Sequence, residues 1–157
     1  MHNSGISSYL PYNGCTSKTK SDTYAIRSSY SSSWGGAHYS AIFQSMSEED
    51  FRIAKKASDE YLRIRHYFTM DFYNHASKVF DDTSWAIWQY HDYVNDSGIV
   101  MAFRRSNSPF DNVEIQLKGL SENGKYKFES FDDNEFSAND DALRMYLHEK
   151  RSCMILE

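Results

Sequence analysis

The spacing of apolar and polar positions changes character along the chain, and its clearest region is 84–120, SWAIWQYHDYVNDSGIVMAFRRSNSPFDNVEIQLKGL. Residues 84–91 are rich in aromatic and β-branched side chains, and 92–98 form a polar turn around Asn95, Asp96, Ser97 and Gly98. Residues 99–103 are continuously apolar, the pattern of a strand covered on both faces. A second turn spans 106–112 and contains Pro109. Val113, Ile115 and Leu117 then alternate with Glu114, Gln116 and Lys118, which predicts a half-buried strand. Together these runs predict an antiparallel meander.

Upstream, the period shifts from two to between three and four. Ala54, Ala57, Tyr61, Ile64 and Phe68 form one apolar stripe, predicting a helix over 48–67 with Lys55, Lys56, Glu60 and Arg63 facing outward. Ser45 or Ser47 can cap it, and Glu48, Glu49 and Asp50 suit the positive end of its dipole. Short strands are predicted at 6–10 and 24–28, separated by a polar stretch at 15–23. Residues 29–45 are rich in Ser and Gly and predict a loop. Beyond 120, a strand is predicted at 125–129, with Tyr126 and Phe128 on one face, followed by an acidic exposed loop at 130–141. Leu143, Met145 and Leu147 predict another strand, and 153–156 opens a last one. Composition shifts from helical to β-rich across 75–83, so the predicted units are 1–74 and 75–157.

Charge and composition narrow the classes. The net charge is −5 with both signs interspersed, so no basic stripe points to nucleic acid and no polybasic run to a membrane surface. No apolar run approaches a membrane span. The two cysteines, Cys15 and Cys153, lack metal-ligand spacing and are expected to be free thiols. Aromatic residues make up 16% of the chain, a surplus that suits either sugar stacking or sheet core.

Several segments also carry a family resemblance. WAIWQYHD, SGIVMAFRRSNSP and IQLKGL followed by KYKF resemble, in order and spacing, the C-terminal β-domain of alpha-galactosidase (melibiase)-type glycosidases, glycoside hydrolase family 36 and relatives. Nearer the start, Gly5, Ser7, Leu10, Pro11, Tyr12 and Gly14 are similar to a late barrel strand of that family, with Tyr9 where Trp is usual. Asp22, Tyr24, Arg27 and Ser28 are similar to the next one, and YLRIRHYFTMDFYN to the helix exit that follows, with Met70 in place of Gly.

The resemblance implies an α+β fragment: the last two strands and helix of a (β/α)8 barrel in 1–74, then an antiparallel β-sandwich in 75–157. Reactive groups of such barrels lie at the C-terminal ends of the strands. Tyr9, Tyr12 and Arg27 are therefore expected to bind substrate in the intact parent, the rings by stacking and Arg27 by donating to hydroxyls. Arg27 has an alternative role, pairing with a carboxylate in the barrel wall. The partner implied is an alpha-galactoside-like carbohydrate; oligomer formation is compatible with the reading.

A retaining glycosidase needs a nucleophilic and an acid/base carboxylate flanking the scissile bond. Neither family motif for them occurs here, and the pairs Asp81/Asp82, Asp132/Asp133 and Asp140/Asp141 lie in polar turns. Asp71 is expected to cap or pair at the domain junction. No catalytic residue, cofactor or metal site is expected, and no nucleotide-binding or other hydrolase motif is present. The chain is thus expected to be inactive alone, with its compartment, cytoplasmic or secreted, set by the missing N-terminal part. The alternative is a non-catalytic carbohydrate-binding or structural β-sandwich module.

Overall fold

The computed structural model describes residues 22–31, 46–75 and 81–157. The chain divides into two compact units, Met1–Thr69 and Met70–Glu157. The expected strand at 6–10, together with Tyr9, Tyr12 and Cys15, lies outside the described residues.

In the first unit, Thr23–Tyr30 is a helix, α1, where the resemblance implies a strand at 24–28. The local chemistry favours the helix. Asp22 caps it by accepting from the Ala25 amide, and Ile26 and Tyr30, one turn apart, are both fully buried. The second helix, α2, runs Glu48–Ile64 and continues as a 3₁₀ turn over Arg65–Thr69. Ser47 and Asp50 close its capping box: the Ser47 hydroxyl accepts from the Asp50 amide and the Asp50 carboxylate from the Ser47 amide, both at 3.1 Å. Ala54, Ala57, Ile64 and Phe68 are buried as the periodicity predicts. Glu60 is the exception, buried where an outward position is predicted. It stands three residues after Ala57 and four before Ile64, on the same stripe.

The second unit holds two antiparallel sheets. The first has the order β1-β2-β3-β7: Asp71–Asn74, Ala86–Asp92, Ser97–Arg104 and Ser152–Leu156. The second has the order β4-β6-β5: Asn112–Gln116, Ala142–Tyr146 and Phe136–Asn139. Among the described residues every strand pairing is antiparallel, and the α+β architecture is compatible with a β-sandwich.

One core joins the sheets. Ile87, Val100, Ala102, Met154 and Leu156 of the first meet Ile115, Leu143 and Met145 of the second, with Trp85, Leu117 and Leu147 at its margins. Ile99 to Phe103 are all buried, as the unbroken apolar run predicts. Gly98 is required in the β2–β3 hairpin, because a Cβ there would collide with the Tyr90 carbonyl oxygen.

Two predictions are corrected in the β-unit. No strand forms at 125–129; pairing starts only at Glu129, whose amide and carbonyl both bond Glu157. Within the expected loop 130–141 lies β5, where Ser137, Ala138 and Asn139 are exposed and only Phe136 reaches the core. Such an edge strand is held by its backbone ladder with β6, so it carries no alternation to read.

Candidate functional site

The best-defined polar cluster of the first unit surrounds Arg27. Its guanidinium donates to both oxygens of Glu60, from Nε at 2.9 Å and from Nη2 at 2.6 Å. The Tyr30 hydroxyl donates to the same carboxylate at 2.8 Å. Arg27 is 1% exposed and Glu60 8%, so the pair is desolvated and bidentate, the geometry in which an arginine–carboxylate bond is strongest. Burial, and then the Glu60 charge, push the Tyr30 phenol above its ordinary range and keep it a proton donor. Of the predicted substrate-binding residues, Arg27 is thus placed in a buried ion pair. Its partner Glu60 lies on the buried face of α2, where the sequence predicts an outward position.

The segments that carry the resemblance are tied to one another in the β-unit. Gln89, in the middle of β2 and 3% exposed, donates to the Lys118 carbonyl at 2.6 Å and accepts from the Lys118 amide at 3.0 Å. WQYHD and LKGL are therefore joined through a side chain acting as one rung of a ladder. The same Gln89 oxygen lies 2.9 Å from His75 Nε2, so that nitrogen carries the proton. Burial holds the His75 pKa below its ordinary value and keeps the ring neutral.

Both arginines of AFRR bind backbone oxygens. Arg104 donates from Nη1 to Leu147 and His148 and from Nη2 to Ser108, and Arg105 donates to Asp81 at 2.6 Å. The Trp85 indole donates to Phe110 at 3.1 Å. Gly119 has φ +77°, and a Cβ on it would stand 2.8 Å from the Tyr73 hydroxyl and 3.0 Å from the His91 ring. A glycine is needed there on both counts.

Next to Gly119 runs a short relay. The Ser121 amide donates to Tyr126 Oη, which donates to Asp96, each at 2.7 Å. The Tyr126 and Ser121 hydroxyls hold the Asp96 carboxyl below the usual carboxylate range. His91 Nε2, buried, faces the same carboxylate at 3.6 Å, beyond hydrogen-bond length.

The acidic pairs lie in turns. Asp81 accepts from the Thr83 amide and hydroxyl, and Asp82 from Asn107. Asp140, at φ 52°, belongs to the turn between β5 and β6. Asp71 is exposed at the start of β1, opposite His91. Among the described residues no group of His, Cys, Asp and Glu could hold a metal ion, and no helix is long and apolar enough to cross a membrane. Cys153 is buried.

No family model, curated protein or solved structure matches the chain.

Proposed function

We propose that the chain is the C-terminal part of an alpha-galactosidase-like retaining glycosidase, with the two catalytic carboxylates carried by a preceding segment. One observation supports this reading most. The residues through which WQYHD, AFRR and LKGL resemble the family are those that tie the β-unit together, through Gln89, Arg104, Arg105 and Gly119. A spacing that a fold requires is informative about the fold, whereas scattered surface matches would not be. In this reading the first unit completes a (β/α)8 barrel, and Tyr9, Tyr12 and Arg27 serve the sugar site, Arg27 held in place by Glu60. An alpha-galactoside is the substrate of the assembled enzyme, and the chain alone has no nucleophile or general acid to offer.

The test is a graft. The chain replaces the corresponding part of an active family enzyme, and hydrolysis of an aryl alpha-galactoside is followed. Recovered turnover upholds the assignment. Turnover by the chain alone, abolished by substituting one of its own aspartates, would overturn it.

The runner-up is a non-catalytic carbohydrate-binding or structural module. What favours it is α1, a helix where the resemblance implies a barrel strand. A folded, soluble graft without activity would point to this second reading.

A further inference from the structure

We propose that the β-unit carries a saccharide-binding cleft of its own, lined by the aromatic Trp85 and Phe110 and by the polar His75, Asp81, Thr83 and Asn112. Its volume is about 300 Å³. That lies at the low end of small-molecule sites, about 300–1,000 Å³, and suits one or two sugar rings.

The cleft is pre-formed, because its walls are cross-linked from distant parts of the sequence. Arg105 ties the carbonyl of Asp81, Asn107 ties the Asp82 carboxylate, and the Trp85 indole ties the carbonyl of Phe110. Little ordering entropy remains to be lost on binding. Phe110 itself is 69% exposed, although the turn around it is fixed and Ser108 beside it is fully buried. A rigid turn that holds an aromatic face in solvent beside a cleft offers a stacking platform.

The chemistry of the lining selects the ligand class. Among the described lining residues there is no lysine or arginine. His75 is neutral, its pKa lowered by burial, and among the described lining residues Asp81 is the one carboxylate, too little to hold a divalent cation. The Thr83 hydroxyl already donates to Asp81 and the Asn112 amide to Asp111, and a wholly apolar ligand would cover their remaining acceptor oxygens without a polar replacement. A neutral ring with an apolar face and hydroxyls around its edge suits a lining that mixes aromatic and polar groups. The proposal rests on the carbohydrate reading above only for the choice of sugar.

The test is a ¹H–¹⁵N titration of the full chain with melibiose and, in parallel, with methyl alpha-glucoside. Saturable shifts of the Trp85 indole and Asn112 amide signals are expected, with affinity falling about tenfold or more in Phe110→Ala, the loss of one anchoring contact. Phe110 is exposed, so the variant should keep the parent's melting temperature. Asn112→Ala gives a second, independent loss. Binding of the glucoside alone upholds the cleft while counting against the galactoside assignment. Failure of the graft to hydrolyse leaves this titration unaffected. No saturable shift with either sugar, or unchanged affinity in both variants, overturns the proposal.

Discussion

The Gln89 side chain clasps the backbone of Lys118 from both sides, donating to its carbonyl and accepting from its amide. The glutamine stands in for a neighbouring strand at the place where the chain leaves β4. Gln89→Leu keeps the bulk and removes both bonds, orphaning two backbone groups at the edge of the core. Each such group costs about 1–3 kcal/mol, so a loss of about 2–4 kcal/mol is expected from urea denaturation. Gln89→Glu tests the polarity: it can still accept from the amide, but its ionised form cannot donate to the carbonyl. It should fall between parent and Leu variant at low pH and lose ground as pH rises. A Leu variant as stable as the parent would mean that water replaces the clasp at no cost.

Arg27 and Glu60 should behave as a unit. Removing one partner strands the other's charge in a buried site, at about 3–5 kcal/mol. Arg27→Met and Glu60→Leu made together should cost less than the two single changes summed, with a coupling of about 0.5–3 kcal/mol. Hydrogen exchange at residues 57–64 reads this locally, because those amides belong to the helix that carries Glu60. Additive effects on protection would show that the pair contributes nothing as a pair.

Tyr30 adds a pH dependence of definite sign. Its folded pKa is raised by burial and by the Glu60 charge, so the folded state keeps a proton that the unfolded chain releases above about pH 10. Its contribution is complete below that pH and is lost as pH rises above it, by up to about 1.4 kcal/mol per pH unit. Tyr30→Phe lacks the hydroxyl and therefore the slope. The parent should exceed the variant in stability at neutral pH, with the gap closing in alkali. A gap constant to about pH 11.5 would contradict the burial of the phenol.

What could be read from the sequence depended on where apolar surface was required. β3 and β6, whose side chains fill the core, were legible from run and alternation, and α2 from its stripe. β5 was not, because three of its residues are exposed and only the backbone ladder with β6 holds it. α1 was not legible because the strand expected at 24–28 followed the family pattern of Asp22, Tyr24, Arg27 and Ser28, while the deciding interactions were the Asp22 cap and the contact of Tyr30 with Glu60 thirty residues away. Glu60 illustrates the same limit for the site. A charge on an apolar stripe reads as a solvated residue until the cation that meets it is known. The arginines of AFRR show the reverse: the motif was plain, but only the fold shows that both bind carbonyl oxygens.

Arg104 therefore yields the sharpest mutational expectation. It is 5% exposed, and among the described residues its charge is met by the carbonyls of Leu147, His148 and Ser108 rather than by a carboxylate. Nη1 binds the end of β6 and Nη2 the turn after β3, so one planar fork holds two segments at a fixed separation. A lysine has a single ammonium on a flexible stem and cannot span both. Arg104→Lys should keep one segment and release the other, costing about 2 kcal/mol; Arg104→Met should leave the oxygens unmet and cost about 3 kcal/mol or more. The distinguishing readout is local. In the lysine variant, amide exchange should rise at only one of two places, the Leu147 amide that bonds Asp111 or the Ser108 amide that bonds Arg105. In the methionine variant it should rise at both. Equal stability of all three proteins, with exchange unchanged at both amides, would show that the fork positions neither segment.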